Sequence, residues 1–227
     1  MKLPPHLYFS FRSPYSWLAL HRLRERVPDA RTRIEFIPYW DPDPLTEQAL
    51  AERGGEFHYV QMSRAKHRYL LHDTKRIAQR FGLPMRWPID VDPWWEVPHL
   101  AFLKASAQGT GFVLFDAITA ARWERGENVC EPEVLAAVAD QAGLDGADLA
   151  SATEDPDIRA RGVECLMRAY EDDIFGIPYF RAGRERFWGL DRLDEFITAL
   201  PGDKASTVDS AVPVAVGYDA DTAGGCG

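Results

Sequence analysis

Ser13 stands where an aromatic, apolar run meets a helix signal, in Tyr8-Phe9-Ser10-Phe11-Arg12-Ser13-Pro14-Tyr15-Ser16-Trp17. Serine is a good N-cap, and proline is the residue best tolerated at the first helical position. Amides in a first helical turn lack intrahelical partners and sit at the positive end of the helix dipole, so such a spot favours an anion. A thiolate held there gains a dipole contribution of roughly 0.3–1 kcal/mol and a hydrogen bond from the serine hydroxyl. Ser-Pro at a helix start is also ordinary capping, so the position alone implies a cap with a hint of chemistry.

Three further segments carry chemical candidates. In Gly176-Ile177-Pro178-Tyr179 a proline opens a strand, a place where a cis bond is tolerated. A cis bond there turns the Ile177 N–H and C=O outward for an extended, peptide-like ligand, and a plain trans-proline loop is the alternative. In Phe187-Trp188-Gly189-Leu190-Asp191-Arg192-Leu193, Asp191 precedes an amphipathic helix. It reads equally as an N-cap or as a holder of a ligand's charged end. Lys66, Arg68, Asp73 and Arg76 share a long helical stretch. A cation there facing a cleft holds a ligand carboxylate, against the usual reading of a solvated face.

Other chemistries find no support. The six histidines, His6, His21, His58, His67, His72 and His99, form no metal-ligand spacing. Cys130, Cys165 and Cys226 form no Cys-x-x-Cys pair, which argues against a zinc site and a disulfide framework. There is no Gly-rich phosphate loop and no Gly-x-Ser-x-Gly. A net charge of −9 argues against nucleic acid or anionic membrane as partner. No apolar run is long enough to span a bilayer, and the N-terminus lacks a secretory apolar stretch, so the expected location is cytoplasmic.

The elements that must position these residues follow from patterning. The 227 residues, 46% apolar, suit one large domain or a small domain with an insertion. Leu7 to Phe11 reads as a buried strand, Ser13 to about Pro28 as a helix, and Arg33 to Pro38 as a second strand. From Pro42 to about Asp173 helical patterns dominate: Glu56 to Phe81, then Pro98 to Gln108, Phe112 to Arg125, Pro132 to Ala142 and Pro156 to Asp172. Ile177 to Phe180 and Arg186 to Trp188 read as a hairpin around Arg181-Ala182-Gly183-Arg184, followed by a helix presenting Leu193, Phe196, Ile197 and Leu200. This order, β-α-β, helices, β-β-α, predicts an α/β fold with one mixed sheet and a large all-helical insertion, with a ligand cleft between them. The polar, Gly-rich stretch after Pro201 reads as a disordered tail.

These signals occur together and in order, and the combination resembles 2-hydroxychromene-2-carboxylate isomerases and kappa-class glutathione transferases, both in the DsbA-like thioredoxin group. The matching stretches are Tyr8 to Ala19, Asp73-Thr74-Lys75-Arg76-Ile77-Ala78 with Gly82-Leu83-Pro84, Phe175 to Phe180, and Phe187 to Leu193. The resemblance covers about residues 6 to 200. It implies a thioredoxin-like domain from 4–41 and 174–200, a helical insertion over 42–173, and a tail over 201–227. Ser13 stands, with Ser16, where redox members carry cysteines.

The resemblance further implies glutathione as cofactor, with another thiol or none as the alternatives. Ser13 would activate its thiol, Ile177 beside cis-Pro178 would pair with its cysteinyl part, Leu190 and Asp191 would hold its γ-glutamyl end, and Lys66 its glycine carboxylate or the substrate. In the isomerases, reversible thiolate addition to a conjugated enone makes a double bond single, so that it rotates before elimination. A homodimer is also implied. The sequence departs from the family at Ser10, where relatives often carry Asp, at Arg12, and in Pro93 to Pro98, which lacks an Asn; these departures point to a different substrate.

The leading expectation is thus a thiol-dependent cis-trans isomerase of an aromatic or polyene carbonyl compound. Arg12, Tyr15, Trp94 and Trp95 are its candidate substrate contacts, and Trp17 and Trp87 are further cleft aromatics for which core packing is the alternative. A kappa-like glutathione transferase and a non-redox thioredoxin-like binding protein are the alternatives. Disulfide exchange is disfavoured, because no cysteine stands at the helix start.

Overall fold

A computed structural model describes residues 4–58 and 62–201. The tail expected beyond Pro201 lies outside the described residues.

Four short strands form one mixed sheet: β1 (His6–Phe9), β2 (Glu35–Pro38), β3 (Tyr179–Ala182) and β4 (Glu185–Trp188), in the order β2-β1-β3-β4. β1 and β2 run parallel, with Leu7 opposite Phe36. β1–β3 and β3–β4 are antiparallel, with Leu7 opposite Phe180 and Phe180 opposite Phe187. The parallel pair needs a crossover, supplied by α1 (Pro14–Arg26) and the short α2 (Ala30–Arg33). The second strand is therefore shorter than Arg33 to Pro38, because Arg33 closes α2. The hairpin turns on Gly183-Arg184 alone, Gly183 having a φ of +64° that favours glycine. The expected turn of four residues is corrected on this point, since Arg181 and Ala182 belong to β3.

Between β2 and β3 come α3 (Pro44–Glu52), α4 (Arg64–Arg80), α5 (Glu96–Ala107), α6 (Gly111–Ala120), a π-helical turn (Ala121–Arg125), α7 (Pro132–Gln141), α8 (Gly146–Ala150), a 3-10 turn (Ser151–Glu154) and α9 (Pro156–Glu171). A 3-10 turn (Leu190–Arg192) then leads into α10 (Leu193–Ala199). Of the one or two helices expected over Glu56 to Phe81, the described residues hold α4, which begins at Arg64, where Ser63 caps it by accepting from the Lys66 N–H; residues 59–61 lie outside the described residues. α3 and α8 escaped the sequence reading; Asp43 and Asp145 cap them.

The two sheet faces are unlike. Leu7, Phe9, Phe36, Phe180 and Phe187 share one face. Phe9 meets Phe102 of α5 and Phe115 of α6, and Phe180 stacks on Phe196 of α10 at 4.8 Å. The other face carries His6, Tyr8, Glu35 and Arg181, which meet the end of α9 through polar contacts. Tyr8 donates to Asp172 Oδ2 at 2.7 Å, Arg181 pairs with the same carboxylate, and Arg168 forks onto Glu35 at 2.5 and 2.8 Å. α5 is buried nearly all round, as an apolar helix must be when it passes through a core. Among the described residues no helix is long and apolar enough to cross a membrane, and no group of His, Cys, Asp and Glu could hold a metal ion.

Candidate functional site

Ser13 caps α1. Its Oγ accepts from the Ser16 N–H at 3.2 Å, its N–H donates to the Ser10 carbonyl at 3.1 Å, and its carbonyl takes the Trp17 N–H. Pro14 has no N–H, and the Tyr15 amide, one residue on, has no intrahelical partner. The Ser13 hydroxyl is half-buried and keeps its proton free to donate, beside that amide and the positive end of α1.

The other expected segments converge on this helix start. Leu190 packs with Tyr15, Trp17, Trp123 and Trp87 in one apolar cluster between α1, α4 and the π-helical turn. Asp191, next in the chain, is exposed and caps nothing: α10 starts after Arg192 without a side-chain cap. The N-cap reading of Asp191 is thereby corrected. Gly189, just before, donates its N–H to the Pro178 carbonyl at 2.9 Å, which sets the Ile177-Pro178 segment against Leu190 and Asp191. The Ile177-Pro178 bond is cis. Among the described residues the Ile177 N–H and C=O make no hydrogen bond.

The helices and loops between β2 and β3 supply the remaining neighbours. Tyr15 donates its hydroxyl to Asp73 of α4 at 2.7 Å, and burial with this carboxylate pushes its phenol well above the usual range. Trp17 stacks on Trp123 at 5.9 Å, and Trp87 meets Trp123 edge-on at 5.5 Å. Arg122 is 2% exposed; its guanidinium lies between the rings of Trp95 at 4.7 Å and Trp123 at 4.9 Å and forks onto Asp90 at 2.9 and 2.8 Å. Arg12 pairs with Asp41 and lies over Trp95 at 6.0 Å.

The remaining candidates are placed as follows. Trp95 is 4% exposed, with Arg122 and Arg12 beside its ring, so it is a wall and no free surface for a substrate. Trp94 is 39% exposed, and its indole N–H is engaged by Asp43 at 3.1 Å. Lys66 is exposed in the first turn of α4, and no contact joins it to Ser13. It lies two turns before Asp73, about 10 Å along the helix. Burial raises the thiols of Cys130 and Cys165 to about 12, so neither is a thiolate at neutral pH.

Sequence reasoning missed His99. It is fully buried on α5 and touches the Ser13 turn, its Nε2 lying 3.1 Å from the Phe11 amide and 3.2 Å from Ser10 Oγ. The available signal was a histidine inside a wholly apolar helical run, Val97-Pro98-His99-Leu100-Ala101-Phe102, where a polar ring must find partners. Arg122 and Trp123 were missed as well, because nothing local marks a π-helical turn.

Comparison with known proteins agrees with this architecture. A 2-hydroxychromene-2-carboxylate isomerase of Sphingobium xenophagum is 26% identical over 192 residues, spanning 82% of this chain and 92% of that protein. A protein of the same name from Pseudomonas sp. (strain C18) is 27% identical over 197 residues, spanning 86% of this chain and 89% of its own. Among solved structures, a 2-hydroxychromene-2-carboxylate isomerase aligns with a TM-score of 0.66 at 23% identity, covering 87% of this chain and 94% of that one. A probable DsbA oxidoreductase from Streptomyces coelicolor aligns with a TM-score of 0.63 at 19% identity, covering 95% and 96%. Residues 6–201, from the first strand to the end of the last helix, match the DSBA-like thioredoxin domain, and the chain belongs to that family.

Proposed function

We propose that this chain is a thiol-dependent isomerase that turns over a flat, conjugated aromatic or polyene carbonyl compound, with glutathione as the thiol. One observation carries the reading: at the start of α1 this chain presents the free O–H of Ser13 and no cysteine, while Cys130 and Cys165 are both kept as neutral thiols by burial. The names of the sequence relatives support the reaction class.

The residues present fit a tripeptide thiol. Ile177 has an unpaired N–H and C=O for its backbone. Asp191 offers an exposed carboxylate for its ammonium, with Leu190 beneath. Lys66, exposed in the first turn of α4, is the candidate for its glycine carboxylate or for the substrate. Glutathione, when bound, supplies the nucleophilic sulfur that this chain lacks at the helix terminus.

The chain's own part is electrostatic. The Ser13 O–H and the Tyr15 N–H favour an anion at the end of α1, by roughly 1.5–3 kcal/mol for a hydrogen bond to a charged group and about 0.3–1 kcal/mol from the dipole. Tyr15, Trp17 and Trp87 form an apolar cluster beside this terminus, against which a flat substrate can pack. The same reading takes a small-molecule substrate and a cytoplasmic homodimer.

The test is Ser13→Ala beside Ser13→Gly, assayed for enone turnover with glutathione. Alanine also removes the cap, about 1 kcal/mol, whereas glycine keeps most of it. Both should lose turnover by about 10- to 100-fold, while the glycine variant melts near the wild type. Unchanged turnover in both makes Ser13 a cap and sinks the proposal.

A further inference from the structure

We propose that His99 is the positioning residue of the Ser13 turn, acting from behind it as a fixed neutral acceptor. The inference rests on the reading that Ser13 handles the thiol.

The tautomer follows from the hydrogen bonds. His99 Nδ1 lies 2.7 Å from the Trp95 carbonyl, which can only accept, so Nδ1 carries the proton. The Phe11 N–H donates to Nε2 at 3.1 Å, so Nε2 carries none. The Ser10 hydroxyl, 3.2 Å away, therefore donates to the same nitrogen. A protonated ring would lose the Phe11 contact and turn the Ser10 hydroxyl from donor to acceptor. Burial, with the buried Arg122 as the charged group facing the ring, holds the imidazole down to about 3. The ring has no room to turn: Trp40 stacks on it at 5.1 Å and 12°, Phe11 lies 5.1 Å away, and Trp95 meets it at 6.1 Å.

From this one ring the whole turn is set. Three successive amides precede the helix, and each ends on His99 or on Ser10. Phe11 donates to His99, Arg12 donates to Ser10 Oγ at 3.2 Å, and Ser13 donates to the Ser10 carbonyl at 3.1 Å. Ser10 Oγ can accept from Arg12 because its own proton is directed at His99. The Ser10 amide points at Ser16 Oγ at 3.4 Å, tying the turn to the helix it starts. His99 thus fixes the direction of the Ser13 side chain without lying at the reacting atoms. α5 is rigid enough for the task, being packed on the sheet face through Phe102 and Phe9.

The experiment uses the full chain with glutathione and a chromophoric conjugated enone. Three variants are compared: His99→Leu, which removes the acceptor; His99→Gln, whose Oε1 reaches where Nε2 stands; and Ser10→Ala, which removes one of the two donors. In His99→Leu, kcat should fall about tenfold or more, with KM for both substrates within about twofold. Its Phe11, Arg12 and Ser13 amides should exchange with deuterium about tenfold faster, without a matching rise in α5. His99→Gln should restore most of kcat and the slow exchange, and Ser10→Ala should fall between.

A His99→Leu variant with wild-type kcat, or with all three amides as slow as in the wild type, overturns the proposal. So does a His99→Gln variant as impaired as His99→Leu while equally well folded. Should His99→Leu fail to fold, Ser10→Ala and His99→Gln decide the matter by the same readouts. If the wild type does not turn over the enone, the functional reading fails, and the exchange pattern alone still accepts or rejects His99 as the residue that sets the turn.

Discussion

The Tyr15 hydroxyl donates to Asp73 Oδ2 at 2.7 Å and so joins the first turn of α1 to the middle of α4. Asp73 also takes a bond from Arg76 at 3.3 Å, one turn along its own helix. The phenol, raised by burial and by this carboxylate, stays protonated and keeps donating. Tyr15→Phe should therefore cost about 1 kcal/mol of stability and loosen α4. Urea unfolding measures the first, and amide exchange over residues 64–80 the second. Unchanged exchange would mean that apolar packing alone holds α4 in place.

Two neighbouring carboxyls should give opposite dependences on pH. Asp43 caps α3 and binds Arg159 and Trp94; burial works against its charge, but these bonds prevail and hold it near about 2. Its folded value is below the unfolded value of about 3.9, so its contribution is present above that pH and is lost as pH falls toward 2. Glu96 is fully buried, accepts from the Asp43 N–H at 2.7 Å through Oε1, and leaves Oε2 without a partner; burial pushes it up. Its contribution is complete below the unfolded value of about 4.3 and is lost as pH rises through the raised folded value. Glu96→Gln should accordingly raise the urea midpoint at about pH 7 and change little at about pH 4. Asp43→Asn should lower the midpoint at about pH 7 and lose less than the wild type on going to about pH 2. Parallel curves for wild type and either variant would contradict the assignment.

Arg122 and Asp90 bind the Pro- and Trp-rich loop to the π-helical turn. The pair is two-pronged, and Asp90, 23% exposed, is its more accessible side. Asp90→Ala leaves a buried guanidinium without its carboxylate, which should cost about 3 kcal/mol, at the low end for a broken buried pair because water reaches Asp90. Replacing Arg122 by Met in the same chain should recover part of that loss, since an apolar side chain between Trp95 and Trp123 needs no counter-charge. A double variant less stable than Asp90→Ala would assign Arg122 a packing role that its charge does not explain.

How much of this was legible in the sequence depends on the range of the interaction. Ser13 capping α1, the strand before it and the Leu193 to Leu200 stripe all follow from residues within a few positions of one another, whereas the cis Ile177-Pro178 bond was one of two readings those residues left open. The mixed sheet follows from the order of those elements. The helical start at Arg64 was hidden because the residues before it, Glu56 to Met62, include no Gly or Pro to stop a helix. His99 was hidden for a different reason. Its partners Ser10 and Phe11 lie 89 and 88 positions away, and only the docking of α5 on β1 brings them together. Trp95 was a candidate substrate contact as one of the aromatics near the expected cleft, yet two arginines lie beside its buried ring, which only the fold brings there.

The central claim is that the Ser13 turn assists a thiol which is returned unchanged. The direct measurement is to incubate the protein with glutathione and a conjugated enone, then follow both the geometry of the double bond and the amount of free thiol. Isomerised product with all of the glutathione recovered, and no turnover without it, is the predicted result. A stable conjugate formed in step with loss of thiol, or an equal rate with no thiol added, would contradict it.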